Sequence, residues 1–169
     1  MTLDELNALP AAAAEDSLLA CCASRRWAAA VAGGRPYEGL PALRDAAAAA
    51  LDGLDWADIE EALRAHPRIG ERPEGRGREA SWSRREQSGM DAAEERVRTA
   101  LAEGNRRYEE RFGHVFLICA TGLGAADMLA ALERRLGNPP EAERRIVRGE
   151  LGKIVQLRLV KLLGRETEG

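Results

Sequence analysis

Apolar residues recur along most of this chain at the three- and four-residue spacing of a helix, with capping residues between the segments. A Thr-x-x-Glu capping box, from Thr2 to Glu5, opens a first short helix. Caps, glycines and prolines delimit further predicted helices over residues 11–23, 25–32 (after the N-cap Ser24), 41–53, 55–66, 91–111, 123–136 and 139–163. Residues 115–120 are the only strand-like run, and one isolated strand cannot make a sheet. The sequence therefore predicts an all-α fold, a single-domain bundle of about seven to nine helices over residues 1–169.

Length and composition are those of an ordinary globular protein. The 169 residues fit one domain, and a content of 45% hydrophobic and 31% charged residues argues against global disorder. No apolar stretch approaches the ~20 residues that span a bilayer. The acidic start, Met1 to Glu5, lacks the basic and apolar regions of a signal peptide. We therefore expect a cytoplasmic protein with no membrane partner.

The charge, the cysteines and the residue spacing argue against nucleic-acid binding, disulfides and a metal site. The net charge of −3 lacks the basic excess of nucleic-acid-binding domains, so no nucleic-acid partner is expected. The three cysteines, Cys21, Cys22 and Cys119, are odd in number and two are adjacent, which predicts reduced thiols. The histidines, cysteines and carboxylates show no zinc-like spacing, so no metal site is predicted.

An Arg- and Gly-rich stretch follows the fifth predicted helix. Residues 68–80 are predicted to form a functional or mobile loop. Over the wider range 64–86, seven arginines outnumber four glutamates. The stretch is either an anion-facing loop or a solvated segment of mixed charge.

The last predicted helix places one cation among apolar residues. At about 100° per residue, Arg158 falls inside an apolar stripe. The stripe is formed by Val147, Leu151, Ile154, Val155 and Leu162. A cation there is costly without an anionic partner. Arg158 is therefore either a structural side chain, paired or snorkelling, or part of an anion-binding site.

His66 is a candidate for proton transfer. It ends a predicted helix and is fixed by Pro67, and imidazole titrates near neutral pH. The alternative is a C-capping histidine that interacts with the helix dipole. His114 is the only other histidine, and its place beside an apolar run suits either packing or the wall of a site.

The pattern Ser83-x-x-Glu86 has two interpretations. It is a capping box, and the plain reading is the start of a helix. Gly89 interrupts the turn soon afterwards, so Glu86 and Gln87 can instead lie at an irregular junction and point into a cleft.

Residues 122–127 imitate a dinucleotide-binding fingerprint, Gly-x-Gly-x-x-Asp. No second strand builds a βαβ unit around them, and Asp127 stands where Gly or Ala is usual. A glycine turn that opens a helix is the better explanation.

Five motifs in order resemble the 2-oxo-4-hydroxy-4-carboxy-5-ureidoimidazoline (OHCU) decarboxylase family of urate catabolism. The resemblance covers about residues 1–163. The matching motifs are His66-Pro67, Ser83-x-x-Glu86-Gln87 with Gly89-Met90, Asn105-x-x-Tyr108 with Arg111-Phe112-Gly113, Phe116-Leu117-Ile118-Cys119-Ala120, and Lys153-Ile154-x-x-x-Arg158-Leu159. The chain departs from many members in its Arg-rich residues 68–78 and in Val115, where many have Pro.

The resemblance implies an all-α enzyme that uses no cofactor and releases (S)-allantoin and carbon dioxide. It implies that His66 transfers the proton and that Glu86 and Arg158 complete the polar catalytic site. It also implies that OHCU, a small-molecule substrate, is bound by Pro67, Ser83, Arg84, Arg85, Glu86, Gln87, Phe116, Leu117, Ile118, Cys119 and Ala120. We predict that His66, Glu86 and Arg158 converge on one cleft.

A different class of function stays open at this point. A non-catalytic helical module that senses an anion or binds a partner would also explain Ala-rich helices and a buried arginine, and a family member can lose its activity. Such a module does not readily explain a constrained histidine, a junctional glutamate and a buried arginine together. The sequence leaves the oligomeric state open and allows a homodimer.

Overall fold

The structure, a computed structural model, describes residues 1–70 and 92–164 of the chain. Within these ranges it contains eight helices and no β-strand, which confirms the predicted all-α class and the predicted number of helices. The helices are α1 (Leu3–Ala8), α2 (Ala11–Leu19), α3 (Arg25–Gly33), α4 (Leu40–Asp52), α5 (Trp56–Leu63), α6 (Ala92–Phe112), α7 (Ala125–Leu136) and α8 (Pro140–Leu163).

Local capping signals in the sequence set most helix starts. Thr2 Oγ1 accepts from the Glu5 amide at 3.0 Å while the Glu5 carboxylate accepts from the Thr2 amide at 3.2 Å, which is the predicted capping box. The side chains of Ser24 and Asp55 cap α3 and α5 as predicted. Gly124 precedes α7, and its amide donates to the Asp127 carboxylate at 3.0 Å. The Gly-rich stretch is therefore a turn that opens a helix.

Two helices end earlier than predicted. α2 ends at Leu19 rather than residue 23, because the amides of Cys21 and Cys22 both turn back to the Leu18 carbonyl, at 2.9 and 3.2 Å. α5 ends at Leu63 rather than near residue 66, because the Ala65 amide makes a tighter turn to Ala62. After α2 the apolar residues Ala20 to Ala23 continue past the point at which the backbone turns.

The chain divides into two compact units, which are described separately. The terminal unit comprises Met1–Ala65 and Arg145–Gly169, and the central unit comprises His66–Arg144. α8 begins in the central unit and continues in the terminal unit. A single domain over residues 1–169 stays a prediction.

In the terminal unit, α3 packs against α2 and α4. The indole Nε1 of Trp27 on α3 donates to the carbonyl oxygen of Ala47 on α4 at 3.0 Å. α8 lies against α4, where a Cβ atom on Gly152 would stand 3.4 Å from Leu51 Cδ2. The largest fully buried side chains of this unit are Trp27, Leu6, Leu18, Leu43, Ile59, Leu63, Leu151 and Leu159.

In the central unit, α6 packs along α7. A Cβ atom on Gly104 would stand 2.5 Å from Leu132 Cδ2, so any other residue there would displace Leu132. The core of this unit consists of Leu101, Tyr108, Phe116, Ile118, Ala131 and Leu132. No helix in the described part of the chain is long and apolar enough to cross a membrane.

Candidate active site

His66 is carried by the loop that follows α5. α5 ends at Leu63 and its cap is Arg64, so the half-buried His66 lies three residues beyond the helix. Pro67, the next residue, is exposed.

Two side chains of α6 contact this loop, which we call the His66 loop (residues 66–70). The Nδ2 atom of Asn105 donates to the carbonyl oxygen of Ile69 at 2.7 Å. The Nε atom of Arg68 donates to both carboxylate oxygens of Glu109, at 3.0 and 2.9 Å. The loop turns at Gly70, whose φ of 88° lies in the left-handed region that favours glycine.

The segment predicted to contact the substrate ring has no regular secondary structure, neither helix nor the strand-like form that its apolar run suggested. Phe116, Leu117 and Ile118 are buried in the central unit, Cys119 is half-buried and Ala120 is exposed. Because Phe116, Leu117 and Ile118 are buried as whole residues, the accessible part of this segment within the central unit consists of Cys119 and Ala120.

A buried ionic network contacts residues 116–120 from within the core of the central unit. Arg135 Nε donates to Glu143 Oε1 at 2.7 Å, and Arg135 Nη2 lies 2.6 Å from the same oxygen but outside hydrogen-bonding geometry. Arg135 Nη1 donates to the carbonyl oxygen of Leu117 at 2.8 Å. Tyr108 Oη and Asn138 Nδ2 donate to the Glu143 carboxylate at 2.6 and 3.0 Å.

The charges of Arg135 and Glu143 are paired with each other within the core. Glu143 is fully buried, and the guanidinium of Arg135 stacks over the Phe116 ring at 4.5 Å. Burial raises the pKa of Tyr108, and its hydrogen bond to Glu143 raises it further, so the hydroxyl is a donor at neutral pH. Sequence analysis missed this network because Arg135 resembles any basic residue in the last turn of a helix.

His114 belongs to an aromatic cluster. Its ring meets Tyr108 edge-on at a centroid distance of 5.4 Å and stacks on Phe112 at 6.2 Å. Its Nδ1 atom lies 3.0 Å from the carbonyl oxygen of Val115. Of the two interpretations of His114, these contacts favour packing.

Arg158, in the terminal unit, is half-buried rather than buried. The prediction of a cation at the centre of the apolar stripe is wrong in detail, because the buried face of α8 is turned so that Arg158 lies at its edge. That face is formed by Val147, Leu151, Val155, Leu159 and Leu163. Among the described residues, no carboxylate forms an ion pair or hydrogen bond with Arg158.

Arg158 lies close enough to Cys21 and Cys22 to influence both thiols. Burial raises the pKa of each thiol from its ordinary value of 9.0 to about 11, and the positive charge of Arg158 acts in the opposite direction. Both thiols are therefore neutral at physiological pH. Cys21, Cys22 and Cys119 all lie in the described ranges and form no disulfide, which confirms the prediction of reduced thiols.

Comparisons with known proteins identify the family. The family model described as OHCU decarboxylase matches residues 7–160. The chain belongs to the OHCU decarboxylase family. The 2-oxo-4-hydroxy-4-carboxy-5-ureidoimidazoline decarboxylase of Mus musculus is 39% identical over 139 residues, which cover 81% of this chain and 78% of the mouse protein. This result confirms the family assignment made from the five motifs.

Two further OHCU decarboxylase relatives extend the comparison. The uric acid degradation bifunctional protein TTL of Arabidopsis thaliana is 34% identical over 152 residues, 88% of this chain but 47% of the plant protein. A crystal structure of OHCU decarboxylase in the presence of (S)-allantoin has a TM-score of 0.73 and 32% sequence identity, and it covers 88% of this chain and 98% of that chain.

The remaining OHCU decarboxylase motif lies outside the described residues. It comprises the predicted site residues Ser83, Arg84, Arg85, Glu86 and Gln87. His66 and Arg158 belong to different units. The convergence of His66, Glu86 and Arg158 on one cleft therefore stays a prediction.

Proposed function

We propose that this chain decarboxylates OHCU to (S)-allantoin, with His66 as the proton-transfer residue. The observation that carries the proposal is family membership, because the OHCU decarboxylase model matches residues 7–160, nearly the whole chain. As a member of this family the chain is a carboxy-lyase of urate degradation.

The reaction requires the protein to bind the substrate and to transfer one proton. The bond between the ring carbon and the carboxylate breaks, carbon dioxide leaves, and the electron pair moves into the conjugated ring and imine of the substrate. A proton added to one face of the ring then gives a single enantiomer. Because the substrate itself accepts the electrons, we propose that no cofactor or metal takes part.

His66 is suited to the proton transfer. Imidazole is the side chain most often used for general acid–base chemistry, and the loop position of His66 leaves it outside the hydrogen-bonding pattern of a helix. A positioned acid or base of this kind contributes roughly 10²–10⁴-fold to a rate.

Arg158 is suited to binding the carboxylate of the substrate. It is half-buried, has no carboxylate partner among the described residues, and lies beside two thiols that are neutral at physiological pH. Its positive charge is therefore not compensated by these neighbours, as an anion site requires.

The other predicted contacts complete the proposed site. Glu86 would hydrogen-bond the ring or hydroxyl of OHCU, or set the charge state of His66. The backbone of residues 116–120 would hold the planar ring. The remaining proposed substrate contacts are Pro67, Ser83, Arg84, Arg85 and Gln87.

The test of this function is stereochemical. OHCU is generated from urate with the two preceding enzymes, the protein is added, and optical activity is followed. Spontaneous decay of OHCU gives racemic allantoin, so catalysis predicts a signal of (S)-allantoin that grows with protein concentration. Product that stays racemic at every protein concentration would contradict the proposal and favour the non-catalytic anion-sensing or partner-binding module.

We also propose that the enzyme forms a homodimer through the exposed side of α8. Three large apolar side chains on this helix, Ile146, Leu157 and Val160, are 39%, 40% and 40% exposed. At about 100° per residue they lie within about 60° of one another, on a face that also carries the exposed Lys153, and exposed apolar side chains grouped on one helix face favour an interface. Sedimentation should give a dimer for the wild type and a monomer for Leu157→Glu. A monomeric wild type would contradict it.

The other predictions from sequence are kept as proposals. They are a single domain over residues 1–169, a cytoplasmic location and no nucleic-acid partner. One cooperative unfolding transition by calorimetry would agree with a single domain, whereas two separate transitions would contradict it. Cell fractionation and a nucleic-acid binding assay test the other two.

A further inference from the structure

We propose that Asn105, assisted by Glu109, is a positioning residue that fixes the His66 loop so that the imidazole meets the substrate in one geometry. This inference rests on the proposed function, in which His66 transfers the proton. It assigns a task to two α6 side chains that the proposed reaction does not otherwise use.

The Asn105 contact lies in a stretch of backbone without helical support. Between the end of α5 at Leu63 and Gly70 the chain is not helical, so helical hydrogen bonds do not set its course. The Asn105 amide donates to the backbone carbonyl of Ile69, three residues after His66, at 2.7 Å. A short hydrogen bond to a peptide carbonyl fixes the orientation of the backbone as well as its distance.

The Asn105 side-chain amide is buried, and burial of an amide costs free energy. Asn105 is only 3% exposed, and its Oδ1 atom is buried without a hydrogen-bond partner in the described part of the chain. An unpaired buried acceptor is destabilising. The contribution of Asn105 to stability is therefore small, whereas its Nδ2 donor supplies a directional contact that an apolar side chain cannot.

One face of α6 supplies both contacts with the His66 loop. Asn105 and Glu109 are four residues apart and hence adjacent on the helix surface. Glu109 accepts both hydrogen bonds from the Nε atom of Arg68, the residue before Ile69. Arg68 is 51% exposed, so this ion pair is the weaker of the two contacts.

The expected consequence is a loss of kcat with little change in KM. A displacement of a catalytic group by 1 Å can cost about 10²-fold in rate. Substrate affinity depends in the proposed site mainly on Arg158 and the backbone of residues 116–120. For Asn105→Leu we therefore expect kcat to fall by about 10- to 100-fold and KM to change by less than about threefold.

Histidine NMR gives a readout that a purely structural role would not move. The chain contains two histidines, so its ¹H–¹³C spectrum has two Cε1–Hε1 signals, and His66→Asn assigns them. In Asn105→Leu the His66 signal should shift or broaden while the His114 signal stays in place. A general disturbance of the central unit would instead move both signals.

Two further variants keep the test informative if Asn105→Leu folds poorly. Glu109→Ala removes a partly exposed partner and should lower kcat by about threefold, and Glu109→Gln, which can still accept from Arg68, should recover most of the loss. Tyr108→Phe removes a buried hydrogen bond from the same helix without touching the loop. It should destabilise the protein but leave the His66 signal in place.

The outcomes separate this inference from the proposed function. If His66→Asn abolishes activity while Asn105→Leu and Glu109→Ala leave kcat and the His66 signal unchanged, the positioning role is wrong and the proposed function stands. If His66→Asn retains activity, His66 is not the proton-transfer residue, whatever its signal does in the Asn105 variant.

Discussion

Arg135 and Arg158 are both held by helices against apolar surroundings, but their environments differ. Arg135 is 8% exposed and bonds to the buried Glu143, to a backbone carbonyl and to the face of Phe116. Arg158 is half-buried, has no carboxylate partner among the described residues and lies beside two neutral thiols.

The difference separates a structural cation from one that is available to a ligand. A buried charge with all of its partners inside the protein has no affinity left for substrate, and removing it leaves another charge unpaired. A half-buried charge without an internal partner costs the fold little to lose. The two arginines should therefore respond in opposite ways to substitution.

The largest expected effect on stability is that of Arg135→Leu. It leaves the Glu143 carboxylate buried without its cation, and such a change typically costs about 3–5 kcal/mol. Denaturant unfolding measures the free energy. Arg106→Leu, which breaks exposed ion pairs on α6, is the matched control and should change stability little. Equal losses in the two variants would contradict the structural role of Arg135.

The effect of Arg158→Leu should be small on stability and large on substrate binding. No buried charge is left unpaired, so the unfolding free energy should stay within about 1 kcal/mol of wild type. The formation of optically active allantoin should fall through loss of binding. A variant that unfolds, yet is active when folded, would identify Arg158 as a structural partner instead.

A further expected effect, confined to alkaline pH, is a loss of stability. The thiols of Cys21 and Cys22 have a pKa of about 11 in the folded protein and near 9.0 when unfolded. Below pH 9 both states hold these protons, whereas between pH 9 and 11 the unfolded state loses them first, so stability falls as pH rises. Unfolding free energy measured against pH checks this slope.

Two variants test the origin of the alkaline slope. The double variant Cys21→Ala/Cys22→Ala should have a shallower decline, with Tyr108 and Tyr37 contributing the rest at higher pH. In Arg158→Leu the thiol part of the decline should extend to higher pH, because no cation then favours the thiolates. An unchanged slope in both variants would show that these thiols do not carry the effect.

Most of the fold could be predicted because its signals are local. Ser24, Asp55 and the Thr2–Glu5 capping box act within one turn, and they mark helix starts that the structure confirms. Helix ends were less predictable, since α2 stops at Leu19 through a backbone turn within an Ala-rich stretch that still favours helix.

In the candidate site, too, the features with a local sequence signal were predicted, and those that depend on tertiary contacts were not. The spacing of the motifs led to the family, because spacing can be read directly from the sequence. The comparisons confirm this family. The network around Glu143 joins Tyr108 and Arg135, which lie 35 and 8 residues away, and no local pattern distinguishes Arg135 from Arg134. The degree of burial of Arg158 also depends on which face of α8 packs against its neighbours. A helical wheel shows which residues share a face, but not which face is buried.

The most direct measurement compares the two histidines by the optical activity of the allantoin they help to form. His66→Asn should yield only racemic product from OHCU, with a melting temperature close to that of wild type, because a loop histidine contributes little to stability. His114→Asn should still form (S)-allantoin, since His114 packs in an aromatic cluster. Stereospecific product from His66→Asn, together with its loss in a folded His114→Asn, would contradict the assignment of His66 as the proton-transfer residue.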